Sequence, residues 1–225
     1  MKQILPARKR KLVFTHDQKK KEEVANTISH AVGIPVAIAV IALLVVFSSI
    51  YGNVWHIVSF SIFGTSMLLL YIASTVFHGT SNPRLKYLLN KFDHMAIYVL
   101  IAGSYTPLAL TVLRGPLGWT LFGLIWALAI GGIVYKLWFY KTKFRKLSAW
   151  LYVAMGWLVI IVISPVIENM PTVSLWLLAS GGFTYTIGAL FYIRKDKRLF
   201  HLIFHLFVLA GSILHFLAFL FMLPF

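Results

Sequence analysis

FHLIFHLFVLAGSILHFLAFLFML, residues 200–223, is long and apolar enough to cross a bilayer, yet it carries His201, His205 and His215. A transmembrane helix needs ~20 mostly apolar residues. His201, His205, Val208, Ser212 and His215 follow one another in steps of four and three, which places them on one helical face. Leu, Phe, Ile and Ala fill the other faces. The pattern describes a membrane helix turning a polar stripe toward protein and its apolar faces toward lipid. Ionisable side chains at such a depth are costly, so a functional reason for them is the default expectation.

Six earlier segments share the length and apolarity of this one. Their approximate limits are 28–50, 55–78, 93–113, 118–138, 148–167 and 173–193. Spans this long and unbroken exclude a transmembrane β-barrel, whose strands are short and alternating. The 225 residues are 60% hydrophobic and only 12% charged. A soluble domain carries about twice that charged fraction. The expected fold is therefore all-α, a polytopic membrane protein with seven transmembrane helices. It divides into a basic tail, 1–25, and a seven-helix domain, 26–225.

The net charge of +15 could suggest nucleic acid, but its distribution excludes that partner, because the basic residues sit between apolar spans. Eight Lys/Arg precede the first span. Arg84, Lys86 and Lys91 follow the second, Lys136, Lys141, Lys143, Arg145 and Lys146 the fourth, and Arg194, Lys195, Lys197 and Arg198 the sixth. Only Arg114 falls on the opposite side. The positive-inside rule then puts the N-terminus in the cytosol and the C-terminus outside. The first apolar run starts late, is long and has no evident cleavage motif, so it reads as a retained helix and not a secretory signal. Arg8–Lys11 and Lys19–Lys21 could attract anionic lipid, although a topology signal accounts for them. Pro35, Pro107 and Pro165 fall inside spans and are expected to kink them. Gly131-Gly132 and Gly181-Gly182 are expected to allow close helix approach.

Other spans carry polar residues at the same end. Ser66, Ser74 and His78 share a face of the second span. Asp93, Ile97, Leu100 and Ser104 share one on the third, and Asn26, His30, Gly33 and Ala37 one on the first. By topology, His78, Asp93, His201, His205, Asn26 and His30 all lie toward the inner leaflet. With no cysteine, a metal here must be held by His, Asp, Glu or water. Three imidazoles (His78, His201 and His205) leave a fourth position open, the arrangement of a catalytic Zn2+ site. Asp93 is either a fourth ligand or, as preferred, the general base. Ser74 either donates to a developing oxyanion or hydrogen-bonds between helices. His30, His94 and His215 are expected to be buried residues satisfied by ordinary hydrogen bonds, and His16 and His56 to be tail and interface residues. Tyr185 and Tyr192 are expected to pack.

At these residues the chain resembles the hemolysin III family, the bacterial branch of the progestin and adiponectin receptor family. The resemblance covers nearly the whole chain. It runs through Glu22-Glu23-Val-Ala-Asn26-Thr-Ile-Ser-His30-Ala-Val-Gly33, Ser74-x-x-x-His78, Phe92-Asp93-His94, Gly103-Ser104-Tyr105-Thr106-Pro107, His201-x-x-x-His205 and His215-Phe216. It implies a bacterial plasma-membrane protein whose zinc ligands match His78, His201 and His205, with Asp93 close to the metal. It also implies kinship with a wider group of proposed membrane hydrolases, including alkaline ceramidases, that share the Ser, Asp and His positions. The expected activity is hydrolysis of a lipid amide or ester drawn from the inner leaflet. Two alternatives stand beside it. One is a pore-forming hemolysin, after the activity attributed to a bacterial family member. The other is a lipid-responsive receptor or sensor, as in the animal relatives. Bis-histidine haem is a further use of inward histidines, and a colourless protein would remove it.

Overall fold

A computed structural model describes residues 16–139 and 145–224. Among these residues there are nine α-helices. They are α1 (His16–Ala31), α2 (Gly33–Tyr51), α3 (Val54–Gly79), α4 (Pro83–Pro107), α5 (Pro116–Phe139), α6 (Arg145–Gly156), α7 (Ile163–Asn169), α8 (Thr172–Ile193) and α9 (Phe200–Leu220). They form seven spans long and apolar enough to cross a membrane, and the described residues contain no strand. Arg8–Lys11, Lys141 and Lys143 lie outside the described residues, as does the His16 side chain.

The first crossing is longer than hydropathy suggests. The helical stretch Asp17–Tyr51 begins well inside the segment assigned to the basic tail. Residues 16–31 are too polar to score as a span, but their buried residues Asn26, Ser29 and His30 continue along one face into Gly33, Ala37, Val40 and Leu44. The helix breaks for one residue at Val32. Pro35 has no N–H for the Ala31 carbonyl, so the regular ladder cannot run through.

Local chemistry sets the other starts. Asn53 Oδ1 accepts from the N–H groups of Trp55 and His56 at 2.9 and 3.4 Å, and His56 Nδ1 accepts the Asn53 N–H at 3.3 Å, capping α3. Asn82 caps α4 through Arg84 N–H at 3.0 Å, with Pro83 at the first helical position. Arg84, Lys86 and Lys91 therefore lie on α4 and not in a loop. Lys136 also departs from its expected place in a loop. It is buried on α5 and donates to Ser148 Oγ at 2.6 Å.

Two of the three prolines reshape later spans. Beyond Pro107 the chain continues as a π-helical turn, Leu108–Val112. The fifth span is broken: α6 ends at Gly156, a 3-10 segment covers Leu158–Val162, and α7 carries Pro165. Tyr105 repairs the backbone pairing at this break. Its hydroxyl donates to the Gly156 carbonyl at 2.7 Å and accepts the Val159 N–H at 2.8 Å. Exposed backbone polar groups are intolerable in lipid, so one side chain serving both ends of a gap is an economical solution.

Packing closes the bundle by bringing α1 and α2 against α9, while α3, α4 and α5 follow in sequence and α8 lies along α9. Gly33 is one point where a side chain cannot be accommodated, since a Cβ there would lie 2.6 Å from the Tyr71 ring. Gly181 is another: its missing side chain leaves the space occupied by the His215 ring. Gly132 likewise backs onto Tyr98, but Gly131 and Gly182 face open space and are not packing glycines. Large apolar side chains point outward without cover, Ile161 being 74% and Trp138 72% exposed. In water such a surface would aggregate, and in a bilayer it is the lipid-facing wall.

Candidate metal centre

His78 sits near the C-terminal end of α3, and His201 and His205 occupy the first turns of α9. One ring nitrogen from each lies within 4.8 Å of the other two. All three come from rigid helices, with His78 and His205 buried. The Nε2 atoms of His78 and His201 are 3.1 Å apart. Two imidazoles on one tetrahedral zinc, each bound at ~2.0–2.1 Å, would hold their nitrogens about 3.3 Å apart. The observed spacing suits either a shared cation or a His–His hydrogen bond.

The surrounding hydrogen bonds fix which nitrogen carries the proton in two of the three rings, a state compatible with either arrangement. His78 Nδ1 lies 3.2 Å from Glu23 Oε2, an oxygen that also accepts from Lys86 Nζ at 2.5 Å. A carboxylate only accepts, so His78 Nδ1 carries the hydrogen and Nε2 presents a lone pair. His205 Nδ1 lies 3.0 Å from Ser29 Oγ, which already donates its one hydrogen to the Asn26 carbonyl at 2.7 Å. Ser29 can therefore only accept from His205, which again leaves Nε2 as a lone pair. Outer partners of this kind typically orient metal-binding imidazoles. His201 Nδ1 has no hydrogen-bond partner among the described residues, so nothing outside the cluster fixes its tautomer.

Glu23 was missed as a support because the early part of α1 reads as a tail, and Ser29, although inside the first span, because its partner His205 lies on α9. The signal that locates them is the helical period joining Asn26, Ser29–His30 and Gly33 to the apolar face of α2. The role expected of His30 also changes. Its ring stacks on His205 with centroids 3.7 Å apart and planes 13° from parallel, and neither of its nitrogens has a hydrogen-bond partner among the described residues. His215 is likewise buried with both nitrogens unpartnered. Neither residue is satisfied by an ordinary hydrogen bond. His94 is, since its Nε2 contacts the Tyr192 hydroxyl at 3.1 Å and its Nδ1 lies 3.4 Å from Asp93 Oδ2. Tyr192 thus does more than pack, as does Tyr185, which bonds Ser212 Oγ at 2.8 Å.

Asp93, His201 and His205 lie on the wall of a cavity of about 220 Å³ that extends along the bundle as far as Val166 and His215. Most of its remaining lining is apolar or aromatic, contributed by α4, α6, α8 and α9. Ser74 does not line it. That residue is fully buried one turn before His78, with an unpartnered hydroxyl. The structure therefore puts His201, His205 and Asp93 on the wall of a greasy channel and sets His78 and Ser74 behind it.

The Haemolysin-III related family matches residues 18–216, from α1 to just beyond His215. The chain belongs to the hemolysin III family. It is 47% identical over 201 residues to a protein from Bacillus subtilis (strain 168) named "Hemolysin-3 homolog", covering 89% of this chain and 94% of that one. It is 45% identical to "Hemolysin-3" of Bacillus cereus over 201 residues, covering 89% and 91%. The human "Monocyte to macrophage differentiation factor" is more distant, at 32% over 203 residues, covering 88% and 82%, and represents the progestin and adiponectin receptor relatives. Family membership and the apolar spans together make this hemolysin III protein a multi-pass bacterial membrane protein. Its outer wall contacts membrane lipid, and its buried histidine triad is compatible with a metal.

Proposed function

We propose that this protein is a zinc-dependent hydrolase of a lipid amide or ester, with His78, His201 and His205 as ligands and Asp93 as general base. One observation carries the reading. Glu23 and Ser29 hold two imidazoles with their Nε2 lone pairs free, beside His201 and at the polar end of an apolar cavity. When bound, zinc would polarise a carbonyl and lower the pKa of a coordinated water.

The protein's own residues supply positioning and proton handling. The cavity takes the acyl chain and excludes bulk water. Asp93, held against His94 Nδ1, takes the proton from the attacking water. Ser74 lies behind the cavity wall with no hydrogen-bond partner among the described residues, so an oxyanion role for it requires the substrate carbonyl to reach the α3 side of the triad. The basic termini of the spans put this end at the cytosolic face by the positive-inside rule, so the lipid enters from the inner leaflet.

The test is release of fatty acid from N-acyl and O-acyl lipids by purified, zinc-loaded protein, with Asp93→Asn as the comparison. The wild type should turn over at least one lipid class, and Asp93→Asn should lose roughly 10²–10⁴-fold in rate while keeping its zinc. Intact lipids in both classes would sink the proposal. The name of the Bacillus cereus relative supports a second reading, membrane permeabilisation. Release of trapped dye from liposomes that persists in His201→Ala would favour it.

A further inference from the structure

The far end of the cavity is polar where a simple acyl-chain pocket would be apolar. His215 lines it, buried, with both ring nitrogens unpartnered. A neutral imidazole has one donor and one acceptor nitrogen. Whichever nitrogen carries the hydrogen, the other is an acceptor that meets no donor among the described residues. The ring is not loose. It fits against Gly181, where a Cβ would collide with it, and meets the Tyr185 ring edge-on at 5.2 Å and 80°.

Tyr185 also lines the cavity, and its hydroxyl, bonded once to Ser212, retains accepting capacity. Ser212 Oγ donates its hydrogen to the Val208 carbonyl at 2.9 Å. The Tyr185 hydroxyl, 2.8 Å from Ser212 Oγ, must therefore be the donor in that pair, and its own oxygen is left to accept. The unpartnered His215 nitrogen, with the Tyr185 hydroxyl on the same stretch of wall, calls for a hydrogen-bond donor from the ligand.

We propose that His215 and Tyr185 form a subsite for a hydroxyl group set partway along an acyl chain, so that the preferred ligands are hydroxylated long-chain acyl lipids. The spacing is set by α9. His215 is ten residues beyond His205 and fourteen beyond His201, about 15 and 21 Å along the helix axis. With the carbonyl at the triad, that separation corresponds to a hydroxyl on the order of a dozen carbons away. The register rests on the carbonyl being held at the triad, as in the proposed function.

The experiment is equilibrium binding to purified full-length protein in lipid nanodiscs. The probes are octadecanoic acid and its hydroxy isomers, with the hydroxyl near the carboxyl group, roughly a dozen carbons from it, or at the chain end. The mid-chain isomer should bind about tenfold more tightly than the unsubstituted acid. His215→Leu should erase that preference and His215→Gln should retain part of it. Gly181→Ala, which displaces the ring, should reduce it. His201→Ala should weaken all the acids while leaving the mid-chain isomer ahead of the unsubstituted acid. Equal affinity for all isomers, or a preference that survives in a folded His215→Leu protein, would overturn the subsite. A hydroxyl preference without any lipid turnover would leave the subsite standing and remove the hydrolase reading.

Discussion

Replacing Ser29 with alanine tests whether the hydrogen bonds around the histidines orient a metal site. Ser29 Oγ accepts the His205 Nδ1–H at 3.0 Å inside the bundle, where His205 is 1% exposed. Without that acceptor, His205 has two choices. It can keep its tautomer and bury an unsatisfied N–H, at a cost of about 1–3 kcal/mol. Alternatively it can move the proton to Nε2 and stop being a ligand. Either way the metal-bound state loses stability, and apparent zinc affinity should fall about 10–100-fold, which corresponds to about 1.4–2.7 kcal/mol. Competition against a fluorescent chelator measures this directly, with Ser29→Thr as a control that keeps the hydroxyl and should stay close to wild type. Circular dichroism would confirm that the helical bundle is intact. A folded Ser29→Ala protein that binds zinc within about twofold of wild type would refute the orienting role.

Three further outcomes follow from other contacts. Tyr105→Phe removes the hydroxyl that bridges the Gly156 carbonyl and the Val159 N–H, and should lower unfolding stability in detergent by about 1–3 kcal/mol; an unchanged denaturation midpoint would show that the break is satisfied another way. Gly33→Ala places a methyl 2.6 Å from the Tyr71 ring and should cost about 1–3 kcal/mol in the same assay, with no loss if α1–α2 and α3 can separate freely. Because the chain has no cysteine, single cysteines introduced at Lys2 and Pro224 can be labelled in intact cells with a membrane-impermeant maleimide. Only the Pro224→Cys protein should react, and labelling of Lys2→Cys instead would invert the orientation read from the basic loops.

The centre of the molecule was more legible than its edges. His201 and His205 announce themselves through helical spacing in an apolar span, and His78 and Asp93 through their position at the matching end of neighbouring spans. Their partners were harder to see. Glu23 belongs to a stretch with too many charges to register as a span, and Ser29, inside the first span, meets His205 only through the packing of α1 on α9. Lys136 read as a loop charge because its burial depends on Ser148, a residue of another helix. The broken fifth span was only hinted at by Pro165, since the residue that closes the gap, Tyr105, is distant in sequence.

Taken alone, the amino-acid sequence determined the number of crossings, the helical character of each, and which histidines share a face. Those properties follow from hydropathy and a 3.6-residue period, both local to the chain. The tertiary structure decided which nitrogen of His78 and of His205 carries the proton, that His30 stacks on His205, and that one cavity joins His201 and His205 to His215. These depend on how far each helix is rotated and where it crosses its neighbours. Interdigitation of side chains sets such quantities, and no single segment encodes them.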